Sequence, residues 1–188
     1  AEMKSIEPAV ADVQIEYGGE VFAAFEAPTS EVLGLAFAIV ILIFAFGSVL
    51  AMGLPIGTAF GGIGVGVLVV TLLSNVFTIP DVATTLGVMI GLGVGIDYAL
   101  FIINRHRRQV LAGVDVHESI ALANGTSGNA VVFAGSTVLV ALLALNVTGI
   151  PFVGVMGTVA AGCVLVAVLL SVTLTPAMLG IIGLRIVN

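Results

Sequence analysis

Runs of about 20 apolar residues have the length of a helix that crosses a bilayer, and this sequence contains five of them, separated by short polar punctuation. They extend from Val32 to about Ala51, Ile56 to about Ser74, Val82 to Ile103, Thr126 to Val147 and Ile150 to about Leu174. Pro28, Thr29, Ser30 and Glu31 supply a helix start for the first. Pro55 is expected to open the second, and Asn75 to Asp81, with Pro80, to form the turn before the third. With 60% apolar and 9% charged residues in 188, and a mean hydropathy of +1.29, the chain lacks the polar surface that a soluble domain of this size needs. The expected fold class is an all-α polytopic membrane protein with a bundle of five transmembrane helices over residues 28–188.

Charge sets the expected orientation. Arg105, His106, Arg107 and Arg108 follow the third run directly, and short loops rich in Lys and Arg stay on the cytoplasmic side. The third, first and fifth runs then end inside, which also places Arg185 inside. A cytoplasmic connector is expected over 104–125. Within it, Asp115 and Glu118 have capping-box spacing and predict a short helix through Ala123, ending at Asn124 and Gly125. The last apolar run exceeds one span, so Pro176 is expected to break it and leave 175–188 as a membrane-surface tail. His106 and His117, among charges, read as solvated.

Residues 1–27 differ in composition: Glu2, Glu7, Asp12, Glu16, Glu20 and Glu26 punctuate apolar residues, and Val13 to Tyr17 alternates like a strand before Gly18 and Gly19. The stretch reads as the end of an extracytoplasmic domain and is too short to bury its own core. It has no basic region followed by an apolar core, so no signal peptide is expected, and the chain reads as a piece of something longer.

Several function classes are disfavoured. A net charge of −6 with 5 Lys+Arg argues against a nucleic-acid partner. The single Cys163 allows neither an intrachain disulfide nor a thiolate metal cluster. Two surface histidines and one membrane acid assemble no catalytic set, so an enzyme is not expected.

Glycines recur at helical spacing in the second run (Gly57, Gly61, Gly62, Gly66) and the third (Gly87, Gly91, Gly95), where they let helix backbones approach closely in lipid. One residue breaks the apolar pattern. Asp97 lies midway along the third run, where an ionised carboxylate costs on the order of 3 kcal/mol. Hydrocarbon surroundings favour the neutral form of a carboxyl group, so an acid at this depth can take up and release a proton as its surroundings move. At 100° per residue, Ile90, Gly93, Val94 and Phe101 share the face of Asp97, with Tyr98 flanking it. Gly93 leaves room for a close neighbour, and Tyr98 can exchange a hydrogen bond with a carboxyl group. This is a proton-relay constellation. The alternative is structural pairing of Asp97 with Asn129, Ser136 or Thr137 of the fourth run.

The run from Gly91 to Ile102, Gly-Leu-Gly-Val-Gly-Ile-Asp-Tyr-Ala-Leu-Phe-Ile, followed by Asn104-Arg105-His106-Arg107, resembles the fourth transmembrane helix of the MMPL transporters in the resistance-nodulation-division (RND) superfamily. Ser30 to Gly34 resembles the approach to that family's second helix, Gly47 to Pro55 the turn after it, and Thr175-Pro176-Ala177 the end of the sixth. The resemblance implies a partial RND-type half, helices two to six of a twelve-helix transporter in two similar halves. It implies a bacterial plasma-membrane protein in which an Asp-Tyr pair faces a counterpart in the second half. Protons are then the coupling ion for export of lipids, other hydrophobic molecules or drugs, with no cofactor or metal. Proton relay falls to Asp97 and Tyr98, and cavity lining to Ile90, Val94 and Phe101, with Ala134 and Val138 on the facing helix. The implied partners are membrane lipids, a hydrophobic or lipid substrate and the missing second half. Without that half the chain is not expected to transport. The same block resembles the sterol-sensing unit of Patched-like proteins, which leaves a non-transporting lipid-responsive module as an alternative, and an RND-type accessory to protein secretion as another.

Overall fold

The computed structural model describes residues 29–46, 49–75 and 78–186. The strand-like pattern and the extracytoplasmic remnant expected in 1–27 lie outside the described residues. The chain divides after Leu35. Of the first unit only residues 29–35, the start of helix α1 (Thr29–Phe46), are described. In the second unit α1 continues and is followed by α2 (Val49–Ser74), α3 (Asp81–Leu111), α4 (Val116–Ala123), α5 (Asn129–Leu143) and α6 (Pro151–Ile182). All described secondary structure is helical, and four segments are long and apolar enough to cross a membrane: Met52–Ser74, Asp81–Leu111, Val116–Thr148 and Pro151–Ile182. α1 contributes a shorter apolar stretch, Leu33–Phe44.

Small residues hold the bundle together. On α3 the expected glycine stripe is buried, and a Cβ at Gly87 or Gly91 would meet Cys163 of α6 at 3.0 and 3.4 Å, while one at Gly95 would meet Ala59 of α2 at 3.5 Å. The α2 stripe faces α6: the Cβ positions of Gly57, Gly61, Gly62 and Gly66 lie 3.3–3.7 Å from Met178, Leu174, Leu170 and Cys163. Van der Waals contact of this kind is what drives helix association in lipid, where burying apolar surface gains little. Away from these seams the helices present large apolar side chains outward, such as Phe44, Leu72 and Phe133.

The helix ends follow from local chemistry. α3 closes on Gly113 at φ +89, with the Gly113 N–H donating to the Val110 carbonyl and the Val114 N–H to that of Gln109, the paired bonds of a Schellman motif. Asp115 then caps α4 as expected, accepting from the N–H groups of His117 and Glu118 at 2.9 and 3.3 Å. Those bonds, from Glu118 first and then His117, hold its carboxyl below the usual carboxylate range. Between α5 and α6, Gly149 at φ +72 and Pro151 at the first turn of α6 make the reversal.

Four boundaries depart from expectation. α2 begins at Val49, so Pro55 lies inside it and does not open it, and residues 49–55 are helix where a turn was expected. α3 continues past Ile103 to Leu111, which makes the arginine cluster part of the helix. The helix begun at Val116 does not stop at Asn124 and Gly125. It passes through a π-turn (Asn124–Gly128) directly into α5. Pro176 does not break α6, which ends at Ile182.

The last two departures meet at one hydrogen bond. Proline lacks an N–H, so Pro176 leaves the Val172 carbonyl four residues earlier without its helical donor. Nδ2 of Asn124 in the π-turn supplies the missing bond at 3.2 Å, as neighbouring helices do for prolines inside membrane helices. A Cβ at Gly128 would come within 2.7 Å of the Asn124 amide oxygen, so glycine there makes room for the amide. Asn124→Ala is expected to lower stability by about 1 kcal/mol. In a Pro176→Ala background, where residue 176 regains its own N–H, the same change is expected to cost much less. A double-mutant cycle of unfolding in mild detergent measures this, and additive losses would disprove the strut.

Candidate functional site

The side chains of α3 sort into two opposed lines. Ala83, Gly87, Gly91, Gly95, Ala99, Ile102, His106 and Val110 form the buried one. Val82, Thr85, Met89, Gly93, Asp97, Phe101, Asn104 and Arg108 form the exposed one. Both repeat every three or four residues, the spacing of one face of a helix.

Asp97 therefore sits near the middle of a 31-residue helix, on a face that no other described helix covers. Gly93, one turn before it, has nothing within 4 Å of its Cβ position, so the close packing expected there is made to no described residue. Phe101, one turn after it, is 56% exposed. Ile90, Val94 and Tyr98 are half-buried along the edge of this face and pack against the core. The carboxylate has thus an apolar border and an open front.

None of the three residues considered as structural partners bonds to Asp97. Asn129 donates to the Gly125 carbonyl at 2.7 Å, Ser136 to that of Phe133 at 2.8 Å and Thr137 to that of Ala134 at 2.7 Å. Each satisfies its own helix instead, as hydroxyl and amide groups in membrane helices commonly do.

Ala134 and Val138 are half-buried, one turn apart on α5. An α5 residue beside Tyr98 is one that the sequence reading passed over. The Cβ position of Gly135 lies 3.5 Å from Cε2 of Tyr98 and collides with Val168 of α6.

A second polar group was misread. His106 is fully buried, where a solvated histidine was expected; His117 is exposed. Nδ1 of His106 lies 2.8 Å from the Ser119 hydroxyl, which also reaches the His106 carbonyl at 3.0 Å and Oε1 of Gln109 at 3.1 Å. The group ties α4 back onto α3. Its signal was in the sequence, since His106 continues the line of Gly95, Ala99 and Ile102, but the flanking arginines concealed it. Nine residues from Asp97, it points to the opposite side of α3 and so takes no direct part in chemistry at that acid.

A cavity of about 610 Å³ lies between α2 and α6 beside the Gly149–Pro151 turn and includes neither Asp97 nor Tyr98. The candidate position for chemistry is the open face of α3.

The opposed faces make a testable contrast. Gly91→Val forces α3 away from α6 and is expected to cost about 1–3 kcal/mol. Gly93→Val in this segment is expected to stay within about 0.5 kcal/mol of the parent. Thermal unfolding of the detergent-solubilised segment compares them, and equal losses would place Gly93 inside this bundle.

Comparison with known proteins gives the family. The sequence pattern of the MMPL family matches residues 20–187. The chain is 52% identical over 158 residues to the membrane protein YdfJ of Bacillus subtilis, covering 84% of this chain and 22% of that protein. It is 38% identical over 145 residues to the mycolic acid-containing lipids exporter MmpL11 of Mycolicibacterium smegmatis, covering 77% and 15%. It is 32% identical over 155 residues to the trehalose monomycolate exporter MmpL3 of Mycobacterium tuberculosis, covering 81% and 16%. The chain spans about a fifth or less of the length of these relatives.

Proposed function

The chain belongs to the MMPL family, and from that premise we propose that it is part of a proton-driven exporter of lipids or other hydrophobic molecules in a bacterial plasma membrane. Asp97 and Tyr98 form the intramembrane proton relay in this reading. One observation carries it: a carboxylate stands midway along a membrane-length helix, on a face with an apolar border and no hydrogen-bond partner among the described residues. An ionised acid left so in hydrocarbon is costly, and such acids mark ion or substrate paths. Its missing partner belongs to the part of the transporter outside this segment, a second half that covers Gly93, Asp97 and Phe101. Ile90 and Val94, and more distantly Ala134 and Val138, line the same cavity.

The relatives support the substrate class, since two of them are named as exporters of mycolic acid-containing lipids and of trehalose monomycolate. The energetics are adequate. A proton crossing 100 mV gains about 2.3 kcal/mol, and a ligand shifts a conformational equilibrium by as much as its differential affinity for the two states. Protonating Asp97 removes the charge from the contact between halves, and the two halves then settle into a different arrangement.

In the full-length parent protein, reconstituted in vesicles with an internal pH dye and an imposed proton gradient, Asp97→Asn is expected to reduce proton flux to background. The amount inserted and the melting temperature should be unchanged. Tyr98→Phe should reduce the flux roughly tenfold or more. Full flux in folded Asp97→Asn would remove the relay.

A further inference from the structure

Tyr98 meets α5 at Gly135, a buried position. A side chain there would touch Cε2 of Tyr98 at 3.5 Å and collide with Cγ2 of Val168. Cε2 is bonded to the ring carbon that bears the hydroxyl, so Gly135 backs the polar end of the tyrosine. Val168 is only 7% exposed and belongs to the central core. As a β-branched residue in a helix it has one strongly preferred side-chain rotamer, so swinging aside is costly. Three helices therefore converge at a point where only a hydrogen atom fits.

We propose that Gly135 is a positioning residue for the relay: by letting α5 close onto Val168, it fixes the seat of the Tyr98 ring and thereby where the hydroxyl stands relative to Asp97. The inference rests on the relay reading of Asp97 and Tyr98 and adds the element that holds one of them in register. Other tight glycines on these helices do different work. Gly157 of α6 admits the Leu142 carbonyl and Leu145, and Gly128 admits the Asn124 amide; neither touches the tyrosine. A methyl group at 135 has two outlets, displacement of Val168 or separation of α5 from α6. Both move the wall against which the hydroxyl end of the ring rests.

The test places 3-fluorotyrosine at position 98 of the full-length parent protein in nanodiscs, since that fluorine sits on a Cε carbon, next to the hydroxyl. Its fluorine NMR resonance reports the seat, and the pH dependence of the resonance, with Asp97→Asn as reference, reports coupling to the acid. Gly135→Ala is expected to move the resonance and to shift the midpoint of its pH response by at least half a unit, about threefold in proton affinity. Adding Val168→Ala, which clears the collision, should return both toward the parent values. Gly157→Ala, which crowds the same helix pair away from the ring, should move them much less.

Should Gly135→Ala fail to fold, Val168→Ala alone carries the test: it opens a gap beside the ring and must broaden or split the resonance. An unmoved resonance in folded Gly135→Ala, a sharp and unmoved one in Val168→Ala, or an equal response to Gly157→Ala would overturn the proposal. A resonance that moves with the seat variants but follows pH in no protein would keep Gly135 as the seat and remove the relay reading.

Discussion

Close approach of α3 to α6 and α2 is the contact on which the rest of the bundle depends. In lipid there is little gain from burying apolar side chains, because the solvent is as apolar as they are. What remains is dispersion, which decays steeply with distance, so the helices hold together only where their backbones come near. Gly87, Gly91 and Gly95 permit that on α3, and the Cβ positions they leave empty face Cys163 and Ala59. α6 is thereby fixed at the centre, and α2 and α5 lie against it.

The backbone imposes the second constraint. A carbonyl without a donor is expensive away from water, and Pro176 creates one inside α6. Asn124 repairs it from the π-turn, a wide turn in which the Asn129 side chain also donates to the Gly125 carbonyl. The irregular element and the proline are thus complementary halves of one joint. π-turns are rare and concentrate at functional sites. Here the turn lies where α4 meets α5, and through Asn124 it bonds α6.

These constraints also explain what could be read from the sequence. The apolar runs and the glycine stripes were legible because helical spacing and residue size determine them directly. The acid was legible because it contradicts its surroundings. The fate of Pro176 was not, since a proline reads as a break unless the distant residue that compensates for it is known, and Asn124 is 48 positions away. His106 was hidden by composition: three arginines beside it suggest solvent, while its register on α3 aims it at Ser119. Gly135 was passed over for a different reason. A lone glycine in an apolar run carries no pattern, and its role appears only when Tyr98 and Val168 arrive from two other helices.

The distribution of polar groups on α3 follows from the same geometry. One face carries His106, buried against Ser119; the opposite face carries Asp97 with no partner in this bundle. The partnered group is anchored, because Nδ1 and the carbonyl of His106 bond to Ser119 and hold α4 in place, although its Nε2 has no partner among the described residues. In the proposed relay the acid needs the reverse, an environment able to change around it while its own backbone stays fixed. Glycines packed on the far side of the helix meet the second requirement, since a seam with backbones in contact has little freedom to shift without losing its dispersion energy. The open line of Gly93, Asp97 and Phe101 meets the first. Rigidity behind the carboxylate and freedom in front of it are therefore two consequences of one arrangement, the packing of Gly87, Gly91 and Gly95 on the side of α3 opposite Asp97.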